Sequence, residues 1–170
     1  MHCYKRVDEL PDPVDLEVLV VPGERVLAAA RACAKKGVKG LVVVSAGFRE
    51  IGPRGEKRER ELLAIARESG MRIIGPNCMG IVNTEEDFRL NASFAAAEPL
   101  PGRVAFASQS GALGEAILAD ARASGLGIRM FASVGNCADV GAHDLLEYWE
   151  HDDGVEIILL YLESFGDPAR

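Results

Sequence analysis

The sequence predicts an α/β fold built on parallel sheets. Short, continuous apolar runs bounded by turn residues alternate with amphipathic stretches of helical length, the pattern of strands covered by helices on both faces. The composition is that of a packed globular chain: of 170 residues, 48% are hydrophobic and 26% charged, with 18 Gly and 8 Pro. The pattern also comes in two series, separated by a stretch in which it dissolves.

In the first series, a strand over Leu16–Val21 leads through Pro22-Gly23 into a helix over Glu24–Lys36, with Gly37 as its C-terminal cap. A strand over Gly40–Val44 follows, then the loop Ser45-Ala46-Gly47-Phe48. The charged stretch Arg54–Ser69 places Leu62, Leu63, Ile65 and Ala66 on one helical face and ends at Gly70. A strand over Met71–Ile74 closes the series. From Thr84 to Gly102 an acidic triplet, an Ala-rich stretch and Pro99-Leu100-Pro101-Gly102 read as a crossover or linker. The second series is a strand over Arg103–Ala107, a helix over Ala112–Ser124, a strand over Ile128–Ser133, a helix over Ala142–Glu150 and a strand over Val155–Tyr161. The expected division is therefore 1–98 and 99–170. The first series lacks a glycine-rich first βα turn and the second stops just past a strand, so the chain reads as cut at both ends.

Charge and composition exclude several functions. Nineteen basic against twenty-six acidic residues, a net charge of -7, give no footprint for a nucleic-acid backbone. The longest apolar runs, such as Ile157–Leu162, fall far short of the roughly 18 residues a membrane helix needs, and MHCYKRVDEL carries no signal-peptide core, so a cytoplasmic chain is expected. Cys3, Cys33, Cys78 and Cys137 form no C-x-x-C pair, and His2, His143 and His151 lie at no ligand spacing from them, so no metal site is expected.

Ligands of open parallel sheets bind beyond the carboxyl ends of the strands. Ser108-Gln109-Ser110-Gly111-Ala112 joins a strand to a helix N-terminus, where unpaired amides and the helix dipole suit a phosphate; equally, Ser110 serves as an ordinary N-cap beside a tight turn. Gly75-Pro76-Asn77-Cys78-Met79-Gly80 brings backbone amides, an amide side chain and a thiol to one loop, either against a ligand or as a turn over a small buried cysteine. A nucleophilic Cys78 has no neighbouring His to activate it. Glu163 ends an apolar strand, where its carboxylate either orients an imidazole or cation or is simply solvated. His143 and His151 read as surface residues, and the run Arg49–Glu61, alternating in sign, as a solvated helix face.

Taken together, Pro11-x-Pro13-Val14-Asp15-Leu16, Val21-Pro22, Val44–Phe48, Ile74–Ile81, Ser108–Gly111, Gly135-Asn136-x-Ala138-Asp139-Val140 and Leu160–Phe165 resemble the NDP-forming acyl-CoA synthetases, which include ADP-forming acetyl-CoA synthetase and, more distantly, the succinyl-CoA synthetase alpha subunit. The resemblance covers nearly the whole chain. It implies a truncated Rossmann-like CoA-binding domain followed by a truncated flavodoxin-like domain of succinyl-CoA-synthetase type. The family converts acyl-CoA, phosphate and ADP reversibly into acid, CoA and ATP through an acyl phosphate and a phosphohistidine. By matching position, Val21, Pro22, Ser45, Ala46 and Gly47 would line the CoA site, with Asn77 and Cys78 near its thioester end. Ser108, Ser110, Gly111 and Ala112 would hold the phosphoryl group, and Glu163 would be the catalytic carboxylate that hydrogen-bonds the imidazole of the phosphorylated histidine.

The same resemblance implies partners: CoA or acyl-CoA, phosphate, a small carboxylic acid, and an ATP-grasp domain or beta subunit that handles ADP or ATP with Mg2+, in an oligomeric assembly. The family's glycine-rich turn is expected before Met1 and its phosphorylated histidine beyond Arg170, so these residues alone are not expected to complete the reaction. Cys137 stands where a longer polar side chain is expected. Two other readings stay open: a synthetase-like regulatory region of a protein lysine acetyltransferase, and a non-catalytic CoA-binding module.

Overall fold

The computed structural model describes residues 2–164, which form two sheets with helices packed against them. The first sheet has the order β1-β2-β3, all parallel: β1 (Leu16–Leu19), β2 (Gly40–Val43) and β3 (Arg72–Ile74). Helices α1 (Gly23–Lys36) and α2 (Pro53–Ser69) make the crossovers and end at Gly37 and Gly70 in the left-handed conformation. Val26, Ala30 and Cys33, spaced at helical intervals, carry α1 onto a core that includes Leu41, Val43, Leu62 and Ile73.

The second sheet has the order β5-β4-β7-β6-β8. Its parallel part comprises β6 (Val104–Ser108), β7 (Ile128–Ser133) and β8 (Ile157–Tyr161), with α3 (Gly111–Ser124) and α4 (Ala142–Glu150) between them. Phe106 and Phe131 meet at 5.3 Å between ring centroids on the α3 side. On the α4 side the buried Trp149 donates its Nε1–H to Met130 Sδ at 3.3 Å.

Two expectations need correction. The second sheet is mixed, because β4 (Gly80–Asn83) runs antiparallel to both β7 and β5 (Leu90–Ser93). The cause is topological: the chain leaves β3 at the carboxyl edge and crosses without a helix, so β4 enters beside Ser133, at the carboxyl end of β7, and must run back. The stretch from Thr84 onward is correspondingly not all linker, since it contains β5. Sheet membership changes within the loop 75–79 that links β3 to β4.

Loop 135–140 covers the outer edge of β3. Val140 N donates to Ile73 O at 3.1 Å, Ile73 N donates to Asp139 Oδ2 at 2.7 Å, and Arg72 Nε donates to the same carboxylate oxygen at 2.9 Å. The two sheets are thereby joined by backbone as well as side-chain bonds.

Candidate functional site

The loops that follow the parallel strands of both sheets converge on one region. Ser45 donates its hydroxyl to Val21 O at 2.5 Å, which ties the end of β1 to the end of β2, and its carbonyl accepts from Asn77 N at 3.1 Å. Ala46 lies over the first turn of α1 so closely that a Cβ on Gly23 would sit 2.3 Å from Ala46 O. That approach requires glycine after Pro22. The loop then buries Phe48 completely, and Arg58 donates to Gly47 O while its guanidinium carbon lies 5.8 Å from the centre of the Phe48 ring.

Asn77 is exposed, adopts φ 58°, and donates from Nδ2 to Asn136 Oδ1 at 3.4 Å. Cys78 is buried beneath it, donating to Val43 O at 3.3 Å, and burial pushes its thiol up to about 11. Cys78 therefore packs as a buried residue of this loop, where burial disfavours the thiolate that a nucleophile needs. Loop 135–137 approaches from the second sheet: Asn136 N donates to Pro76 O at 2.9 Å, Ala138 N to Gly75 O at 3.0 Å, and a Cβ on Gly135 would lie 2.4 Å from the carbonyl oxygens of both Pro76 and Asn77. Met79 N donates to Ser133 Oγ at 2.9 Å, fixing the same junction from below.

At the N-terminus of α3 the Ser110 hydroxyl accepts from Leu113 N at 3.3 Å, an N-cap. Ser108 is fully buried and donates to Ser110 O at 2.7 Å, so its hydroxyl shapes the loop from within. The amides of Gly111 and Ala112 belong to the first turn, which has no intrahelical acceptors, and the space in front of Gly111 is open, with Met79 Cβ at 3.8 Å the nearest atom to an added Cβ. This end of α3 can accept an oxyanion. Glu163 is exposed just beyond β8, its amide donating to Gln109 Oε1 at 2.5 Å. Phe165 lies outside the described residues.

A polar cluster that sequence reasoning missed sits behind these loops. Asn136, 7% exposed, donates from Nδ2 to Glu50 Oε2 at 2.7 Å and to Glu59 Oε2 at 3.0 Å. Arg49 donates to Asn136 O and pairs with Glu59 at 3.7 Å. Partial burial pushes the Glu50 carboxyl up, but bonds from Asn136 and from the Phe48 and Gly47 amides outweigh it and hold the group below its ordinary value. The run Arg49–Glu61 is thus not simply a solvated face. The available signal was helical register: Gly55, Glu59, Leu62 and Ala66 share the buried face of α2.

Cys137 takes φ 50° and its sulfur accepts from Gln109 Nε2 at 3.4 Å. His143 Nε2 lies 3.0 Å from Asp144 Oδ2 in the first turn of α4, and His151, the C-cap of α4, has Nδ1 2.8 Å from Glu147 O. Among the described residues no cluster of His, Cys, Asp or Glu could hold a metal ion, and no helix is long and apolar enough to cross a membrane.

Comparison with known proteins gives matches over nearly the whole chain. Residues 1–84 match the CoA binding domain family and residues 101–170 the succinyl-CoA ligase like flavodoxin domain family. The chain is 46% identical over 170 residues to the alpha subunit of acetate--CoA ligase [ADP-forming] II of Pyrococcus furiosus, covering 100% of this chain and 36% of that one. It is 44% identical over 168 residues to acetate--CoA ligase [ADP-forming] I of Archaeoglobus fulgidus, covering 99% of this chain and 24% of that one. Its structure superimposes with a TM-score of 0.93 and 41% identity on the dinucleotide forming acetyl-coenzyme A synthetase 1 of Ca. Korarchaeum cryptofilum in complex with phosphate and ADP, covering 99% of this chain and 35% of that one. The chain thus spans between about a quarter and a third of the length of these relatives. Over residues 1–84 the chain belongs with the CoA binding domain family and over residues 101–170 with the succinyl-CoA ligase like flavodoxin domain family, and along nearly its whole length it is similar to ADP-forming acetate--CoA ligases.

Proposed function

We propose that this chain supplies the CoA-binding and phosphate-binding part of an ADP-forming acyl-CoA synthetase, an acid-thiol ligase that interconverts acyl-CoA, phosphate and ADP with acid, CoA and ATP. The observation that carries the reading is the convergence of loops 45–48, 75–79, 108–111 and 135–137, held together across the two sheets by backbone hydrogen bonds. Residues 1–98 form the CoA-binding unit in this reading and 99–170 the phosphate-binding unit, the first lending its β4–β5 hairpin to the sheet of the second.

Each residue then has a physical task. Val21, Pro22, Ser45, Ala46 and Gly47 form the wall against which CoA lies, Ser45 acting through its bond to Val21 O. Asn77 presents its side chain at the junction of the two units, over the buried Cys78. The amides of Gly111 and Ala112 and the dipole of α3 hold phosphate, with Ser110 capping the helix and Ser108 shaping the turn. Glu163 accepts a hydrogen bond from the imidazole of a histidine outside this chain and keeps that ring in its reactive tautomer. ADP or ATP with Mg2+ is handled by an ATP-grasp part, on the same polypeptide or on a partner subunit.

The test is ATP formation from acetyl-CoA, ADP and phosphate by the protein that carries this chain together with an ATP-grasp partner. CoA-releasing, phosphate-dependent ATP synthesis is expected, with Gly111→Val raising the KM for phosphate about tenfold or more by closing the helix end. No ATP formation from acetyl-CoA or from any other small acyl-CoA would sink the ligase reading.

A further inference from the structure

Gln109 separates the two serines of the phosphate loop, and its side chain bonds to the far end of β8. Oε1 accepts from the amides of Glu163 at 2.5 Å and Ser164 at 2.9 Å, and Nε2 donates to Ser164 O at 2.7 Å. The second Nε2 hydrogen meets Cys137 Sγ at 3.4 Å, and the Gln109 amide itself donates to Tyr161 O at 3.0 Å. The side chain therefore pairs with the chain at 163–164 much as a peptide group would, just beyond the end of β8. A carboxylate of the same length would accept both N–H bonds but donate none back.

We propose that Gln109 is a positioning residue that fixes Glu163 relative to the phosphate site. One residue joins both: its neighbours Ser108 and Ser110 shape and cap the N-terminus of α3, while its side chain anchors the backbone that carries the Glu163 carboxylate. Its contact with Cys137 adds the loop after β7, so the ends of three parallel strands are set against one another. The inference rests on the proposed role of Glu163. A small displacement of a reacting group can lower turnover about 100-fold without touching binding, and that is the signature expected here.

Two measurements test it. In the 170-residue chain, hydrogen exchange at the Glu163 and Ser164 amides should quicken about tenfold or more in Gln109→Met while β6 and β7 keep their protection. Gln109→Glu, which keeps the acceptor oxygens, should restore exchange at Glu163 to within about threefold, and unchanged exchange in Gln109→Met overturns the proposal. In the enzyme assembled with its ATP-grasp partner, Gln109→Met should lower kcat about 100-fold with the KM for CoA unchanged within about twofold. On a Glu163→Gln background the same substitution should cost at most about threefold more, because the two residues act as a unit. A full, independent loss on that background, or a change confined to KM, overturns the positioning role. An inactive Glu163→Gln beside a fully active Gln109→Met defeats this inference alone, whereas a fully active Glu163→Gln defeats the assignment of Glu163 and this inference with it.

Discussion

Cys78 and Cys137 flank the junction of the two units, yet their surroundings give them different chemistry. Cys78 is buried with its Sγ on Val43 O, and desolvation pushes its thiol up to about 11, as it does for Cys33 inside the first core. At pH 8 a group titrating near 11 is thiolate in only about one molecule in a thousand, and the thiolate is the form that reacts. Iodoacetamide at pH 8 should therefore modify the exposed Cys3 first and leave Cys33 and Cys78 untouched until the protein is unfolded in urea, as read by mass spectrometry. Rapid modification of Cys78 in the folded chain would mean that the loop 75–79 opens readily and that its thiol is available for chemistry. Cys137, half-buried and also raised by burial, is held by Gln109 and should react between these extremes.

At the scale of elements, the contact between α2 and loop 135–137 carries the heaviest polar load. Asn136 supplies one amide to two carboxylates, and Glu59 is 7% exposed, so its charge depends on Asn136 and Arg49 for compensation. Asn136→Ala should lower the unfolding free energy by about 1–3 kcal/mol in urea titration, the cost of leaving a buried acceptor without its donor. A loss under 0.5 kcal/mol, roughly the range of an unremarkable surface substitution, would show that water replaces the amide freely. This contact also marks where the sequence stops being legible. Apolar periodicity located α1, α2, β2, β7 and α4 to within two residues, because each buries a face whose pattern is set locally. Glu59 was hidden in a charge run because a carboxylate at a core-facing position looks the same in sequence as one in solvent. The hairpin escaped for a different reason: β5, Leu90-Asn91-Ala92-Ser93, has weak strand propensity and exists through its pairing with β4, a tertiary cause that no local window contains. The strand-end loops were legible as a set of candidates, and Glu163 among them, but not the side chain of Gln109 that ties them together.

For the molecule as a whole, the free edges of the two sheets matter more than their interiors. The outer edge of β3 is covered by loop 135–140, whereas among the described residues β1, β5 and β8 each pair on one side only; β5, Leu90-Asn91-Ala92-Ser93, is half polar, which leaves β1 and β8 as the more apolar edges. Val20, just after β1, is 71% exposed, and β8 presents Ile157 at 52% and Tyr161 at 39%. Unpaired strand edges carrying apolar side chains recruit further strands, by the same backbone hydrogen bonds that hold the sheet together, unless charge or a covering element prevents it. The formal charge of -7 opposes association only weakly at physiological salt, where charges farther apart than about 8 Å are screened. The isolated 170-residue chain is therefore expected to associate reversibly as its concentration rises, and sedimentation velocity should show a weight-average mass climbing above 18.2 kDa. Val20→Lys together with Leu159→Lys should shift that transition to at least about tenfold higher concentration, since each places a charge at an edge that a second chain would have to bury. A mass that stays at the monomer value across the whole range would mean that both edges are already protected, and association through them would have to be abandoned as a property of this chain.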